Sequence, residues 1–185
     1  MILNDSEISK ESLLSPFHSR KIREFNNIKR ISYGCSSFGY DITLSEDCFK
    51  IFKPGKTTDP KNFDDSVLEP AGLISDDSGD YFILPPYSNG LGVSRELFNI
   101  PDDVLGVATS KSTYARCGII VNVTPLEPSW KGFLVLEIFN ANSSPCRIYA
   151  NEGIAQLIFF KGNTPEQPYS GKYQNQPHKI TYAQV

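Results

Sequence analysis

Short apolar stretches set off by turn residues recur along this chain at 81–84, 91–94, 104–109, 118–124, 132–139, 146–149 and 153–160. Such spacing favours an all-β sandwich or barrel over a doubly wound α/β fold. A period of two begins earlier still. Tyr40, Ile42 and Leu44 alternate with Asp41, Thr43 and Ser45, and Phe49 and Ile51 extend the strand pattern. The first twenty residues read as a helix instead. Asn4 or Asp5 can cap it, Glu7 sits early in the turn, Ile8, Leu13 and Leu14 are apolar, and Pro16 ends the pattern. At 185 residues the chain is read as one mainly β domain spanning 1–185, long enough to bury a substantial core.

Two segments break the rhythm. Residues 53–79 are acidic and carry Pro54, Gly55, Pro60, Pro70, Gly72 and Gly79. A loop of this length is a functional lid, an insertion or a partly disordered stretch. From Thr164 onward the chain is polar, interrupted by Pro165, Pro168, Gly171 and Pro177, with tyrosines at 169, 173 and 182. Two readings stand for residues 164–185: a floppy terminus, or a segment that closes over a site.

Charge and cysteine usage narrow the function. A net charge of −3 argues against a nucleic-acid binder with a basic surface. The one basic cluster, Arg20, Lys21 and Arg23 with Lys29 and Arg30 nearby, is a solvated face or a meeting place for a polyanion or partner subunit. The N-terminus has no basic region and meets acids at once, unlike a signal peptide. No apolar run approaches the roughly 20 residues needed to span a bilayer, so the expectation is a cytoplasmic protein without membrane contact. Cys35, Cys48, Cys117 and Cys146 are scattered, and His18 and His178 are the only histidines. Zinc-ligand spacing is therefore absent, and the cysteines read as small, mostly buried thiols.

The chemistry concentrates in two places. Ser110-Lys111-Ser112-Thr113 follows a strand and can open a short helix, where free N–H groups, hydroxyls and an ammonium suit an anion. It is no Walker A loop, because the glycine frame is missing. Ser112 and Arg116 are four apart and share a face on a helix. Glu137 lies in Phe133-Leu134-Val135-Leu136-Glu137-Ile138-Phe139. A charge in such a run is costly unless paired. Either Glu137 bridges to an arginine, or its surroundings tune it for proton transfer near neutral pH.

The stretch from Lys111 to Trp130, KSTYARCGIIVNVTPLEPSW, resembles the dCTP deaminases of the trimeric dUTPase superfamily. So do Val135–Asn140, Tyr149–Gln156, Ile31–Asp41 and Gly171–Gln176, spread over most of the chain in the family's order. The resemblance implies a dUTPase-like distorted jelly-roll β-barrel with short helices. It also implies a homotrimer with active sites between subunits. The implied reaction is zinc-independent hydrolytic deamination of dCTP to dUTP and ammonia, with magnesium held on the triphosphate and no metal bound mainly by the protein.

The implied roles fall on individual residues. Glu137 would carry the proton from the attacking water, and Arg116 and Ser112 would position water and stabilise the developing charge. Lys111, Ser112 and Thr113 would hold phosphate oxygens, and Tyr114 and Ala115 in the same run would belong to the substrate-binding set. Val135 and Glu137 would border the base and sugar, with Leu136 between them in the substrate-binding set. Gln156 would hold the nucleotide, and Tyr169, Lys172 and Gln176 would close over the triphosphate. Feedback inhibition by dTTP is a further expectation. The segment Thr124–Trp130 lacks the dUTPase Gly-x-Ile-Asp pattern, with Glu127 near where an aspartate would stand, and the glycine-rich closing motif is absent. Deamination alone is therefore favoured over a bifunctional enzyme or a dUTPase releasing dUMP and pyrophosphate. A non-catalytic nucleotide-binding regulator is the alternative from another class.

Overall fold

The period-two segments pair into two antiparallel sheets. A computed structural model describes all residues, Met1–Val185. After helix α1 (Asp5–Glu11) come β1 (Leu14–Ser15), β2 (Ile22–Phe25), β3 (Ile28–Ser36) and β4 (Gly39–Phe52). A 3-10 turn at Asp65–Val67 leads to β5 (Leu68–Pro70), β6 (Ile74–Asp76), β7 (Gly79–Leu84), β8 (Asn89–Asn99) and β9 (Val104–Ser110). Helix α2 (Ser112–Ala115) precedes β10 (Ile119–Asn122), β11 (Lys131–Asn140), β12 (Cys146–Tyr149) and β13 (Gly153–Lys161).

The larger sheet runs β10-β11-β8-β4-β13-β9, and β12-β7-β6 form the smaller one. The larger sheet curls until its two ends meet. Ser110 Oγ on β9 accepts from the Val121 amide of β10 at 2.8 Å and lies 3.1 Å from the Val121 carbonyl, to which it donates. These side-chain bonds, rather than a backbone ladder, tie the two ends of the curled sheet together. The core fills the inside of the curl, with Tyr40, Ile42, Leu44, Phe98, Leu136, Leu157 and Phe159 fully buried.

Helix α1 is shorter than the sequence suggests. Asn4 is the cap: its side chain accepts from the amides of Ser6 and Glu7, while Glu7 reaches back to the Asn4 amide at 2.9 Å. The helix stops at Glu11 because Ser12 turns left-handed at φ 52°. Leu13 is buried in the core, and Leu14 pairs with Phe98 in β1 rather than lying on a helix face.

The acidic segment 53–79 is only partly loop. Its second half supplies β5, which pairs with the end of β4, and β6, which forms a hairpin with β7. The tail is docked rather than loose. Trp130 Nε1 donates to the Tyr173 carbonyl at 2.8 Å, the Phe133 amide donates to the Gln176 carbonyl at 3.0 Å, and Ile180 is buried. All four cysteines are free thiols, but they are not uniformly buried: Cys35 is, whereas Cys117 is exposed. No helix is long and apolar enough to cross a membrane.

Candidate active site

Strand β11 buries its even positions and turns its odd positions outward. Leu134, Leu136 and Ile138 enter the core, so Val135, Glu137 and Phe139 share the outer face. Directly across from Glu137 stand Asn122 of β10 on one side and Leu91 of β8 on the other. Residues directly opposite in a sheet share a face. Glu137 therefore has Val135, Phe139 and Leu91 as apolar neighbours and Asn122 as its polar one.

The carboxylate is solvent-accessible, yet the surrounding walls crowd out much of its hydration. That desolvation raises its pKa from 4.5 to about 7. Asn122 Nδ2 donates to Glu137 Oε2 at 3.4 Å, a contact that works in the opposite direction. Glu137 makes no salt bridge within the chain, so the reading of a core bridge to arginine is not realised in the subunit.

Glu137 faces a cleft of about 400 Å³ whose lining is mostly apolar. Val135, Leu91 and Trp130 form its walls, Thr124 and Glu127 come from the turn after β10, and Tyr169 and Gln176 come from the tail. Phe63 of the acidic segment and Tyr182 of the tail stack across its edge, ring centroids 5.2 Å apart and 18° from parallel. The two segments that broke the strand rhythm thus both border this cleft.

A second group stands apart. Helix α2 is one turn long, and Ser112, Thr113, Ala115 and Arg116 are exposed on it, with Arg116 Nη1 donating to the Ser112 carbonyl at 3.1 Å. Gln156 lies on the outer face of β13 opposite Thr109, and its side-chain amide donates to Ser36 Oγ at 3.2 Å. None of these side chains lines the Glu137 cleft in the single subunit.

Four of the expected contact residues sit differently from the sequence reading. Lys111 is buried, and its ammonium donates to Asp41 Oδ2 at 2.7 Å, where Lys21 also pairs at 2.9 Å. Tyr114 is buried, with its hydroxyl accepting from the Tyr149 amide at 2.8 Å. Leu136 points into the core and does not line the cleft. The ammonium of Lys172 is taken up by the carbonyl of Gln184, outside the cleft lining. Lys111 and Tyr114 anchor α2 to the barrel because a four-residue helix has too few internal bonds to hold itself.

Sequence reasoning passed over three polar groups. Asn122 is one, marked only by falling opposite Glu137 in the ladder. Asp41, the anchor of Lys111, sits on a strand whose alternation made it look solvent-facing. Glu96 is 1% exposed and receives the Thr43 amide and hydroxyl, the hydroxyl at 2.9 Å. Its burial raises its pKa to about 7 as well. Its parity with Ser94 and Phe98 on β8 was the available signal.

Comparison with known proteins places the chain in a family. Residues 2–162 match the family model described as dCTP deaminase-like. A protein named dCTP deaminase from Nitrosococcus oceani is 48% identical over 170 residues, covering 89% of this chain and 87% of that protein. One of the same name from Francisella tularensis subsp. novicida is 45% identical over 185 residues, covering 95% of each chain. Among solved structures, 2'-deoxycytidine 5'-triphosphate deaminase from Agrobacterium tumefaciens matches 87% of this chain with a TM-score of 0.59. At 15% identity, and with this chain spanning 48% of that one, the likeness speaks for the fold alone. The chain belongs to the dCTP deaminase-like family.

Proposed function

We propose that this protein catalyses the hydrolytic deamination of dCTP to dUTP and ammonia. The observation that carries the reading is a carboxyl group with a pKa near 7 at the wall of an apolar cleft. A general base works best when its pKa lies near the working pH. Ionised Glu137 takes a proton from water as the water oxygen adds to C4 of the cytosine. Glu137 delivers that proton to N3, then takes the second proton from the new C4 hydroxyl and passes it to the amino nitrogen. As the C4–N4 bond breaks, ammonia departs and the C4 carbonyl of uracil remains. Glu137 returns to its starting state, so no zinc is needed to activate the water.

A trimer with sites between subunits explains the division of residues. Ser112 and Arg116 are exposed on α2 and separate from their own subunit's Glu137 cleft. A neighbouring subunit's Ser112 and Arg116 would complete that cleft and stabilise the charge of the tetrahedral intermediate. No three His, Cys, Asp or Glu side chains gather as a metal cage. The residues suited to the triphosphate are instead the hydroxyls of Ser112 and Thr113 and the guanidinium of Arg116. That set fits magnesium carried on the phosphates, where the ion neutralises their charge. The tail residues Tyr169 and Gln176 close the cleft in this reading, dTTP is a feedback ligand of the same site, and the enzyme works in the cytoplasm.

Glu137→Gln tests the assignment. The variant should lose turnover of dCTP by at least about a thousandfold while still binding dCTP by calorimetry. Retained turnover would remove the mechanism. Chromatography of the wild-type products separates dUTP from the dUMP that a bifunctional enzyme would release.

A further inference from the structure

The cleft defines an environment for Glu137 in which one residue stands out. On the outer face its own strand gives Val135 and Phe139, and β8 gives Leu91. Only β10 offers a polar neighbour, through Asn122, whose Nδ2 reaches Glu137 Oε2. No other side chain of the subunit hydrogen-bonds that carboxylate. Asn122 is also the last residue of β10, so its side chain stands where the ladder ends and the turn enclosing the cleft begins.

We propose that Asn122 is a positioning residue for the Glu137 proton carrier. Its carboxamide holds one carboxylate oxygen, leaving the other free to face water, and favours the ionised form that accepts the proton. An apolar residue at 122 would leave the carboxyl among aliphatic walls with only its own backbone amide to orient it. Asn122 touches neither water nor base in this scheme and acts only through Glu137.

Other titratable groups bordering the cleft are few. Glu127 comes from the turn after β10, Tyr169 and Tyr173 come from the tail, and Tyr182 lies beside Phe63. The loop and β8 contribute Phe63 and Leu91, neither of which titrates, and no Lys, Arg or His lines the cleft within the subunit. In the proposed trimer Arg116 of a neighbouring copy faces the same carboxyl. Comparing variants within the same assembly cancels its effect.

The assignment rests on Glu137 carrying the proton, and the experiment separates the two claims. The Glu137 carboxyl is titrated by carbon NMR in protein labelled at glutamate Cδ, with its signal identified by loss in Glu137→Gln. This needs no substrate. In Asn122→Leu the midpoint should rise by about 0.5 to 1 unit, the scale of one charge-assisted hydrogen bond weakened by solvent. In Asn122→Gln, which keeps a carboxamide, it should return toward wild type.

The acid limb of kcat/KM for dCTP should move by the same amount as the midpoint. A purely structural role would lower kcat at every pH and leave both midpoints in place. Asn122→Ala, which removes the carboxamide without adding bulk or charge, gives the same test should Asn122→Leu melt early, and the midpoint should rise by the same amount. A Glu137 midpoint unchanged in Asn122→Leu, or in Asn122→Ala where only that variant folds, overturns the proposal. A shifted midpoint in a protein that does not turn over dCTP would uphold the positioning and refute the reaction.

Discussion

Glu96→Gln should make the protein less sensitive to rising pH. The Glu96 carboxyl is almost fully buried, forms no salt bridge, and is held by the amide and hydroxyl of Thr43. Desolvation raises its pKa from 4.5 to about 7, with the Thr43 bonds opposing the shift. An acid whose folded pKa is raised loses stability as pH increases. The unfolded chain releases the proton near 4.5 and the folded chain holds it until about 7, so stability falls across that window and is flat above it. A gap of roughly 2.5 units at about 1.4 kcal/mol per unit makes the full loss about 3 kcal/mol. Glutamine does not titrate, so the variant lacks this slope. Its stability relative to wild type should improve by about 2 kcal/mol between pH 5 and pH 8.

Urea unfolding at fixed protein concentration, in both proteins at both pH values, measures that difference. The contribution of Glu137, also raised to about 7, is common to the two proteins and cancels. Parallel pH dependence in wild type and Glu96→Gln would refute the reasoning, since the buried carboxyl would then carry no linked proton.

Three further outcomes follow from the geometry. Mixing Glu137→Gln with Arg116→Ala subunits, each inactive alone, should restore up to about a quarter of wild-type turnover if each site draws on two copies of a closed ring. No recovery would place the whole site in one subunit. Asp41→Ala leaves Lys111 and Lys21 without their shared carboxylate and should cost about 3 kcal/mol or more, read as a lower urea midpoint; an unchanged midpoint contradicts the anchoring role. Removal of residues 164–185 should leave the barrel folded, because its last strand ends at Lys161. It should also red-shift the emission of Trp130, which loses its bond to Tyr173, and depress turnover; full activity would deny the tail a part in closing the cleft.

The strands were legible because alternation along a curled sheet is a local signal. The run 146–149 matches β12, and 153–160 and 104–109 each fall one residue short of β13 and β9. Strand β8 was harder. Its Gly90 and Gly92 carry no side chain to keep the alternation, yet they are needed because a Cβ at either would press on Phe49 or Leu44. The end of α1 was misjudged because Leu13 and Leu14 suit a helix face as well as a strand, and the left-handed Ser12 leaves no mark in composition.

For the site, Glu137 was legible because a lone acid in an apolar run is conspicuous. Its apolar neighbours are partly a matter of register, and no local pattern reveals that Leu91 and Asn122 flank it. The same limit governs Lys111. A lysine at a helix start reads as an anion ligand, and only the fold shows Asp41, seventy residues away, claiming its ammonium.

The most direct test of the account is incubation of the purified protein with dCTP and magnesium, without added zinc, followed by chromatographic separation of the nucleotides. The account predicts accumulation of dUTP with one ammonia per nucleotide, slowing below about pH 7 as Glu137 takes up its proton. Intact dCTP after prolonged incubation, with dUTP as substrate converted to dUMP or left untouched, would contradict it.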